Sequence, residues 1–417
     1  MKLMARNLFV ICLLTAIFVC CGTPKSKGHG SSGGSTGGGG GEGPVKWLPT
    51  STTNAASGRV NHTAVWAGNA MIVWGGLNST VLNTGGQYSP ITDSWRPVST
   101  TNAPTARYYH SAVYSGDSMI IWGGYDGASY LNSGAEYFPG TDSWAAITSS
   151  DAPSARAFHT AVWAGNAMVI WGGFDGVTTL DTGAHYSRGT GSWTATSLVD
   201  IPQFGRAFHT AVWTGNEMIV WGGASYYYSE WGKVLGNCNF LGYDEWGSPQ
   251  WGPPEYCYTG GRYNPATDSW TETTITNAPS ERRSHTAVWT GTEMIIWGGH
   301  SKTPDQRSIE LDTGARYDPS ADTWAPTSHT AGLPSPRNLH TAVWTGSQMI
   351  IWGGVGAVDT GGIYDPSNNA WTATSVGANV PSGRFGHSAV WGGNAMVVWG
   401  GFDNLNNFLN TGGRFVP

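Results

Sequence analysis

Charged side chains are scarce in this sequence, and neither sign is in large excess. Only 12% of the residues are Asp, Glu, Lys or Arg, and the formal net charge is −6. A protein that binds nucleic acid needs a basic patch or a basic excess, because it must neutralise phosphates. The composition therefore argues against a nucleic-acid partner and against other polyelectrolyte partners.

The usual marks of an enzyme or metal site are also missing. No serine-nucleophile motif, phosphate-binding loop or zinc-ligand spacing stands out in the chain. No long helical period follows the N-terminal segment either. Cysteine is rare, with five in the whole chain. We therefore predict a fold without helices, and we expect no metal ion and no cofactor.

A sequence motif recurs seven times along the chain. In each copy a histidine begins His-Thr-Ala-Val-Trp or a close variant, and a phrase resembling Met-Ile-Val-Trp-Gly-Gly follows. The intervals between the histidines run from 47 to 55 residues, apart from one of 76. The seven are His62, His110, His159, His209, His285, His340 and His387. Such a period is typical of repeat proteins in which each copy is one structural unit.

Each copy divides into four short segments that are rich in Val, Ile, Tyr and Trp and separated by turn residues. In the second copy they are 110–114, 119–124, 134–139 and 143–147. This composition predicts four antiparallel strands. With its di-glycine, later Tyr and still later Trp, the chain from Trp47 to its end resembles the kelch-repeat family. The resemblance implies an all-β, seven-bladed β-propeller.

The two ends of the chain complement each other. The last copy, from Arg384, stops at Pro417 without a fourth segment. Trp47 precedes Arg59 by the same twelve residues that separate Trp95 from Arg107. We therefore expect an N-terminal strand around Trp47 to complete the last blade, which leaves the ring without an open edge.

The repeated Trp, Gly and His residues have a structural explanation. Large rings pack well against bare glycine backbone, and the chain has 23 Trp and 61 Gly. Metal sites combine three or four ligands from different local contexts, whereas one histidine recurs here in one context. We therefore predict that the seven histidines belong to the scaffold.

An arginine stands three residues before each repeated histidine. In some kelch propellers equivalent arginines contact acidic ligands, and the resemblance implies the same role here. We expect the guanidinium groups to line one mouth of the central channel and to bind an anion or an acidic partner. A structural role within each blade is the alternative. The arginines are Arg59, Arg107, Arg156, Arg206, Arg282, Arg337 and Arg384.

The N-terminus indicates export. Lys2 and Arg6 precede an apolar run from Leu8 to Val19, which is typical of a secretory signal and short for a membrane span. The run ends at Cys20 and Cys21, so residues 1–21 resemble a bacterial lipoprotein leader, with either cysteine as the lipidation site. Ordinary cleavage and secretion is the alternative. Residues 22–44, rich in Gly and Ser, predict a flexible tether to a propeller spanning 45–417.

The largest break in the repeat is an insertion at residues 224–259. It places 36 residues between Gly223 and Gly260, where the first copy has eight between Gly76 and Gly85. The insertion holds Cys238 and Cys257, for which we predict a disulfide bond in an oxidising envelope. We expect its aromatic residues to form a ligand surface or a lid packed on its own blade. The candidates are Tyr227, Trp231, Trp246 and Trp251.

Strand alternation places this insertion on the same face as the connections that carry the arginines. Shorter loops on that face bear pairs of an aromatic and an acidic residue, which are suited to stack on and hydrogen-bond to a sugar. They also match the ordinary turn after the di-glycine. The pairs are Tyr125–Asp126, Phe174–Asp175 and Phe402–Asp403.

Two classes of function follow from these features. The first is a monomeric binding module in the cell envelope, tethered to the membrane only by a lipid anchor, whose loop face recognises an envelope protein or a glycan. The second is a sugar-active enzyme, since exported kelch-like propellers include galactose oxidase and a sialic acid mutarotase. The copper ligands of galactose oxidase have no counterpart here, so that likeness concerns the fold alone.

Overall fold

The computed structural model describes the propeller and parts of its insertion. It covers residues 46–202 and 204–228, short strands at 234–235, 240–243 and 249–251, and residues 256–417 apart from 304, 306 and 357. These residues form seven four-stranded antiparallel sheets and contain no helix. None of the described residues therefore belongs to a helix suited to crossing a membrane. The predicted all-β, seven-bladed propeller is confirmed, while the leader and the tether lie outside the described residues.

Every blade has the same order of strands, from the channel outwards. Blade 1 consists of β2 (Thr63–Trp66), β3 (Met71–Trp74), β4 (Gly85–Ser89) and β5 (Ser94–Pro97). Blade 2 consists of β6 (Ser111–Tyr114), β7 (Met119–Trp122), β8 (Gly134–Phe138) and β9 (Ser143–Ile147). Blade 3 consists of β10 (Thr160–Trp163), β11 (Ala167–Trp171), β12 (Gly183–Ser187) and β13 (Ser192–Ala195).

The remaining blades repeat this pattern. Blade 4 consists of β14 (Thr210–Trp213), β15 (Met218–Trp221), β20 (Gly260–Asn264) and β21 (Ser269–Glu272). Blade 5 consists of β22 (Thr286–Trp289), β23 (Met294–Trp297), β26 (Gly314–Asp318) and β27 (Thr323–Pro326). Blade 6 consists of β28 (Thr341–Trp344), β29 (Met349–Trp352), β30 (Gly361–Asp365) and β31 (Ala370–Ala373). Blade 7 consists of β32 (Ser388–Trp391), β33 (Met396–Trp399), β34 (Gly412–Val416) and β1 (Lys46–Pro49).

Three small hairpins extend the connections between the second and third strands of blades 4 and 5. The connection of blade 4, which is the predicted insertion, holds β16 (Tyr227–Tyr228), β17 (Val234–Leu235), β18 (Phe240–Tyr243) and β19 (Pro249–Trp251). The connection of blade 5 holds β24 (His300–Lys302) and β25 (Ser308–Glu310). Both connections leave the sheets after the di-glycine, on the face that we call the loop face.

The ring closes as the sequence predicts. The N-terminal strand β1 pairs antiparallel with β34, and Lys46 stands opposite Val416. Trp47 is 1% exposed, and its ring centroid lies 5.2 Å from that of Trp352 in blade 6 and 5.1 Å from that of Phe415. The two ends of the described chain thus complete one sheet, and the N-terminal strand fills a core position in it.

Tryptophan rings join each blade to the next. The Trp that ends each second strand contacts the Trp of a fourth strand in the following blade, with centroids 5.1 to 5.4 Å apart all round the propeller. The side chains at the second-strand positions are almost entirely buried. Because these rings meet between sheets, the core consists of seven inter-blade layers of aromatic and aliphatic side chains.

The repeated histidines form a second circle of inter-blade contacts. In each blade Nε2 of the histidine shares a hydrogen bond of 2.8 to 2.9 Å with a Ser or Thr hydroxyl of the preceding blade. The di-glycine makes room for this contact. At Gly75, where φ is +69°, an added Cβ would lie 2.6 Å from Cε1 of His110 and 2.8 Å from the carbonyl oxygen of Arg107. The predicted scaffold role of the histidines agrees with this geometry.

Candidate interaction face

The seven repeated arginines lie inside the blades. Their exposed fractions are 0 to 1%. In Arg107, Nη1 donates to the carbonyl oxygens of Gly123 and Ser133 at 3.0 and 2.7 Å, Nη2 donates to Oγ of Ser133 at 3.1 Å, and Nε donates to the carbonyl oxygen of Thr105 at 2.9 Å. Five of the other six make the same four bonds, and Arg206 makes the three that start from Nη1 and Nη2. Backbone carbonyls therefore take the place of water around each guanidinium.

This burial corrects the expectation of an exposed ring of guanidiniums at the channel mouth. The correction applies to Arg59, Arg107, Arg156, Arg206, Arg282, Arg337 and Arg384. Burial lowers the pKa of six of them to about 10 and that of Arg282 to about 9, so all seven stay charged at neutral pH. A buried cation costs free energy unless its donors are bonded. Here that requirement is met within the fold, and the structural alternative explains the repeat.

The aspartates of the aromatic–acid pairs close their own turns. Oδ1 of Asp126 accepts hydrogen bonds from the amides of Ala128 and Ser129 at 2.8 and 2.7 Å. Asp175 and Asp403 accept backbone amides in the same way. This is the bonding of an Asx turn. It accounts for the three acids without a ligand, and sugar binding by the pairs stays a prediction.

The aromatic members of those pairs pack onto the loop face. Tyr125 is 7% exposed, and its ring centroid lies 5.6 Å from that of Tyr108 and 4.9 Å from that of Tyr130. The ring of Tyr130 lies 5.8 Å from that of Phe174. Phe402 packs against Phe385 and Phe408 in the same manner in blade 7.

Most of the insertion's candidate residues lie outside the described side chains. Trp231 and Trp246 are outside the described residues, and Tyr227 and Trp251 are described only as strand residues of β16 and β19. Cys257 is fully buried, but Cys238 is outside the described residues. The Cys238–Cys257 bond therefore stays a prediction.

The residue before each repeated histidine contributes to a ring around the central axis, which we call the axial ring. The first strands of neighbouring blades lie side by side round the full circle. From these positions, amides donate to the carbonyl oxygen of the equivalent residue in the preceding blade, at N···O distances of 3.1 to 3.3 Å in six pairs. The axial ring comprises Asn61, Tyr109, Phe158, Phe208, Ser284, Leu339 and Gly386.

Blade 5 adds two cations to this face, and they lie against two tyrosines from the connection of blade 4. We call these four residues the cationic cluster: Arg283, Lys302, Tyr226 and Tyr256. Nη1 of Arg283 donates to Oη of Tyr226 at 2.7 Å. Cζ of Arg283 lies 5.1 Å from the ring centroid of Tyr256, and Nζ of Lys302 lies 5.8 Å from the same centroid. Two cations thus share one aromatic ring at cation–π distance.

An imidazole–carboxylate pair borders the cationic cluster. His300 lies with its ring centroid 5.8 Å from that of Tyr256, and its Nδ1 lies 3.1 Å from Oε1 of Glu310. No group of three or more His, Cys, Asp or Glu side chains suited to a metal ion occurs among the described residues. No observation on this part of the chain favours the sugar-active enzyme either.

Arg283 is the functional candidate that the analysis of the repeat missed. It stands two residues before His285, where the other copies carry Val60, Tyr108, Ala157, Ala207, Asn338 and Phe385. The sequence alone distinguishes Arg283, because the equivalent position is uncharged in the other six copies. Recurrence in every copy, as in the seven arginines, instead indicates a scaffold role.

The fold defines the class of protein, which is a seven-bladed β-propeller whose last blade is shared by the two ends of the chain. A sequence profile described as the KLHDC2/KLHL20/DRC7 Kelch-repeats domain matches residues 45–226 and 255–411. The chain therefore belongs to this Kelch-repeat family. The interruption of the match falls within the insertion of blade 4. No curated protein shows significant similarity to the sequence.

Proposed function

We propose that this propeller is an interaction module that binds an acidic segment of a partner protein on its loop face. The observation that carries the proposal is the cationic cluster, in which Arg283 and Lys302 lie 5.1 and 5.8 Å from the centroid of one ring. Both side chains are cations on the loop face, and positive charge at an interface favours a partner of complementary negative charge. A partner carboxylate supplies that charge.

The surroundings of the cluster suit a protein interface. Arg and Tyr are enriched at the residues that dominate binding energy, because they combine polar contacts with a large apolar area. Tyr226 and Tyr256 are 9% and 2% exposed, so burial fixes the two rings against which the cations pack. Because the rings are already held in place, less side-chain entropy is lost when a partner binds.

Reversing one charge tests this proposal. Arg283→Glu is expected to lower the recovery of cross-linked acidic partners from envelope extracts by tenfold or more, because loss of a buried charge contact costs about 2–5 kcal/mol. Lys46→Glu makes the same charge change in the closing strand β1, and partner recovery with this variant should equal that of the wild type. Equal recovery with Arg283→Glu would contradict the proposal.

A glycan remains the alternative partner, and a glycan array separates it from a protein. The full-length chain and Arg283→Glu would be applied to the same array of neutral and acidic glycans. Binding to protein partners should weaken as salt rises, because screening shortens the reach of the two cations. Binding to neutral glycans that is insensitive to both salt and Arg283→Glu would favour the glycan.

We propose further that the protein is exported and held in the cell envelope by a lipid on Cys21 or Cys20. The support is the apolar run from Leu8 to Val19 and the tether of residues 22–44 that follows it. Cells fed labelled palmitate should yield labelled protein, and either Cys21→Ser or Cys20→Ser should abolish the label. Cys12→Ser, within the apolar run, serves as the matched control. Unlabelled wild-type protein in the medium would instead indicate cleavage and secretion.

A further inference from the structure

We infer that an open pocket between blades 7 and 1, on the face opposite to the loop face, binds a small carboxylic acid with an apolar body. We call it the inter-blade pocket. Its volume is about 480 Å³, within the range of about 300–1,000 Å³ that is usual for small-molecule sites. Leu48, Trp66, Ile91 and Val416 give it apolar walls, and Arg414 gives it a cation. Since it lies on a different face, this inference does not depend on the proposed function.

The pocket exists because the turn between the first two strands of blade 7 carries small residues. Its first residue is Gly392, where the other six copies have Ala, Ser or Thr. The amide of Gly392 donates to the carbonyl oxygen of Ala395 at 2.9 Å, and Thr290 and Glu293 make the same bond at 2.9 Å in blade 5. The backbone at Gly392 is not left-handed, so its conformation does not require glycine. Glycine here therefore leaves space that a side chain fills in the other blades.

The space at Gly392 lies against the indole ring of Trp66. A Cβ added to Gly392 would lie 3.0 Å from Cη2 of Trp66 and 3.3 to 3.4 Å from two neighbouring ring atoms. Trp66 is partly exposed. Any side chain at residue 392 would thus cover this edge of the ring, and glycine leaves the edge open. An aromatic or aliphatic ligand gains apolar burial and ring contact there.

Arg414 belongs to a set of three equivalent arginines. Each is the third residue of a third strand, and Nη1 of each donates to a backbone carbonyl oxygen of the following blade at 2.6 to 3.2 Å. The three guanidinium groups are therefore held in the same way. The arginines are Arg262 in blade 4, Arg316 in blade 5 and Arg414 in blade 7.

Blade 7 lacks the carboxylate that accompanies the other two arginines. In blade 5, Oε2 of Glu293 lies 3.6 Å from Nη1 of Arg316. In blade 4, Glu217 stands at the same turn position as Glu293. The equivalent residue of blade 7 is Ala395, which lines the inter-blade pocket. A ligand carboxylate can take the place that the glutamate has in blade 5, and such charge-assisted bonds to arginine are strong.

Asp93 of blade 1 is the other charged group beside Arg414. Its Oδ1 lies 4.0 Å from Nη2 of Arg414, which is too long for a hydrogen bond. The same oxygen accepts hydrogen bonds from Oη of Tyr88 at 2.6 Å and from the amide of Ser51 at 2.9 Å. Asp93 is thus bonded within the fold, and Nη2 of Arg414 is available to a ligand.

Blade 4 shows that one arginine of this set accommodates two carboxylates. Oη of Tyr317 donates to Asp322 at 2.5 Å, as the equivalent tyrosine of blade 1 does to Asp93. Burial and the nearby carboxylates of Asp322 and Glu217 raise the pKa of Tyr317, and Arg262 opposes this shift. Both acids therefore lie near Arg262. A ligand carboxylate beside Arg414 would reproduce this arrangement in blade 7.

Isothermal titration calorimetry of the full-length protein with three probes tests the inference. Phenylacetate has a carboxylate and an apolar ring, phenylacetamide lacks the charge, and acetate lacks the ring. We expect phenylacetate to bind about tenfold more tightly than either of the other two probes, because only it satisfies both Arg414 and the apolar walls.

Two variants probe the pocket in different ways. Gly392→Thr introduces the residue that blades 4, 5 and 6 carry at this position, so the fold should accept it, and it should weaken phenylacetate binding about tenfold by filling the space beside Trp66. Arg414→Gln should remove the preference for phenylacetate over phenylacetamide. Ala164→Thr and Arg262→Gln make the matching changes in blades 3 and 4, and neither should alter binding.

The outcomes bear on the inter-blade pocket alone. Equal affinity of the wild type for phenylacetate and phenylacetamide, or no binding of phenylacetate, would overturn the inference. So would unchanged phenylacetate binding in Gly392→Thr, which keeps Arg414 and serves even if Arg414→Gln does not fold. Arg283→Met separates this site from the cationic cluster. Binding that is intact in Arg283→Met supports the pocket, whereas loss of binding there would assign the acid to the loop face.

Discussion

Acidification from pH 7 to pH 5 is expected to unfold the propeller cooperatively. Burial, together with the arginine three residues upstream, lowers the pKa of His62, His159 and His340 to about 3, where an exposed histidine has about 6.5. Burial also lowers the pKa of the other four repeated histidines well below that value. All seven are therefore neutral in the folded protein.

The direction of the effect follows from proton uptake. Below pH 6.5 the unfolded chain binds protons on these histidines. In the folded chain the lowered pKa values delay this uptake, to about pH 3 for His62, His159 and His340. The stabilisation is therefore complete above pH 6.5 and is lost as the pH falls through the lowered pKa values of the folded protein. Each histidine contributes about 1.4 kcal/mol per pH unit below 6.5, so seven together contribute on the order of 10 kcal/mol over one pH unit. That is similar to the whole stability of a typical domain, about 5–15 kcal/mol.

Thermal unfolding followed by circular dichroism between pH 8 and pH 4 checks this prediction. The melting temperature should be level above pH 7 and fall steeply below pH 6.5. Replacing a single buried histidine, as in His110→Gln, should make the fall about one-seventh less steep at a lower starting stability. The same change at the exposed His329 should leave the profile unchanged. A melting temperature that is constant from pH 7 to pH 5 would refute the expectation.

Removing the closing strand is expected to have the second largest effect. A chain that begins at Ser51 lacks β1 and exposes the edge of β34, while a chain that begins at Val45 keeps the strand and serves as the matched control. Loss of the buried Trp47 alone should cost about 3–5 kcal/mol, the usual range for Trp-to-Ala changes in a core. The lost hydrogen bonds between β1 and β34 add to this cost.

Urea unfolding of the two truncated chains measures the difference. The chain from Ser51 should unfold at a clearly lower urea concentration and should associate more readily, because an open strand edge pairs with other chains. Adding a synthetic peptide of residues 45–50 should restore part of the lost stability. Equal unfolding midpoints for the two chains would show that the N-terminal strand does not close the ring in solution.

The arginines show how a sequence pattern can mislead about a site. The position of Arg107 and its six equivalents before each first strand, together with the resemblance to kelch propellers, predicts contacts with ligands. Their side chains instead bind backbone carbonyls within their own blades. A polar residue that recurs in every copy has the same local partners in every copy, and such partners are usually part of the scaffold.

The candidate site lies at positions that break the repeat. Arg283 interrupts a series of uncharged residues, and Lys302 belongs to the extended connection of blade 5. Each of these departures is visible in the sequence. Their proximity is not visible there, because it depends on how two segments of blade 5 fold against the ring of Tyr256, which belongs to the connection of blade 4.

The sequence by itself determined the strands, the seven blades and the shared last blade, because these depend on short-range alternation and a period that recurs in every copy. The tertiary structure decided which repeated polar groups are buried and which variable side chains meet. The axial ring illustrates the reason. Asn61 donates its amide to the carbonyl oxygen of Gly386 at 3.3 Å, and this contact exists only once all seven blades have closed into a circle.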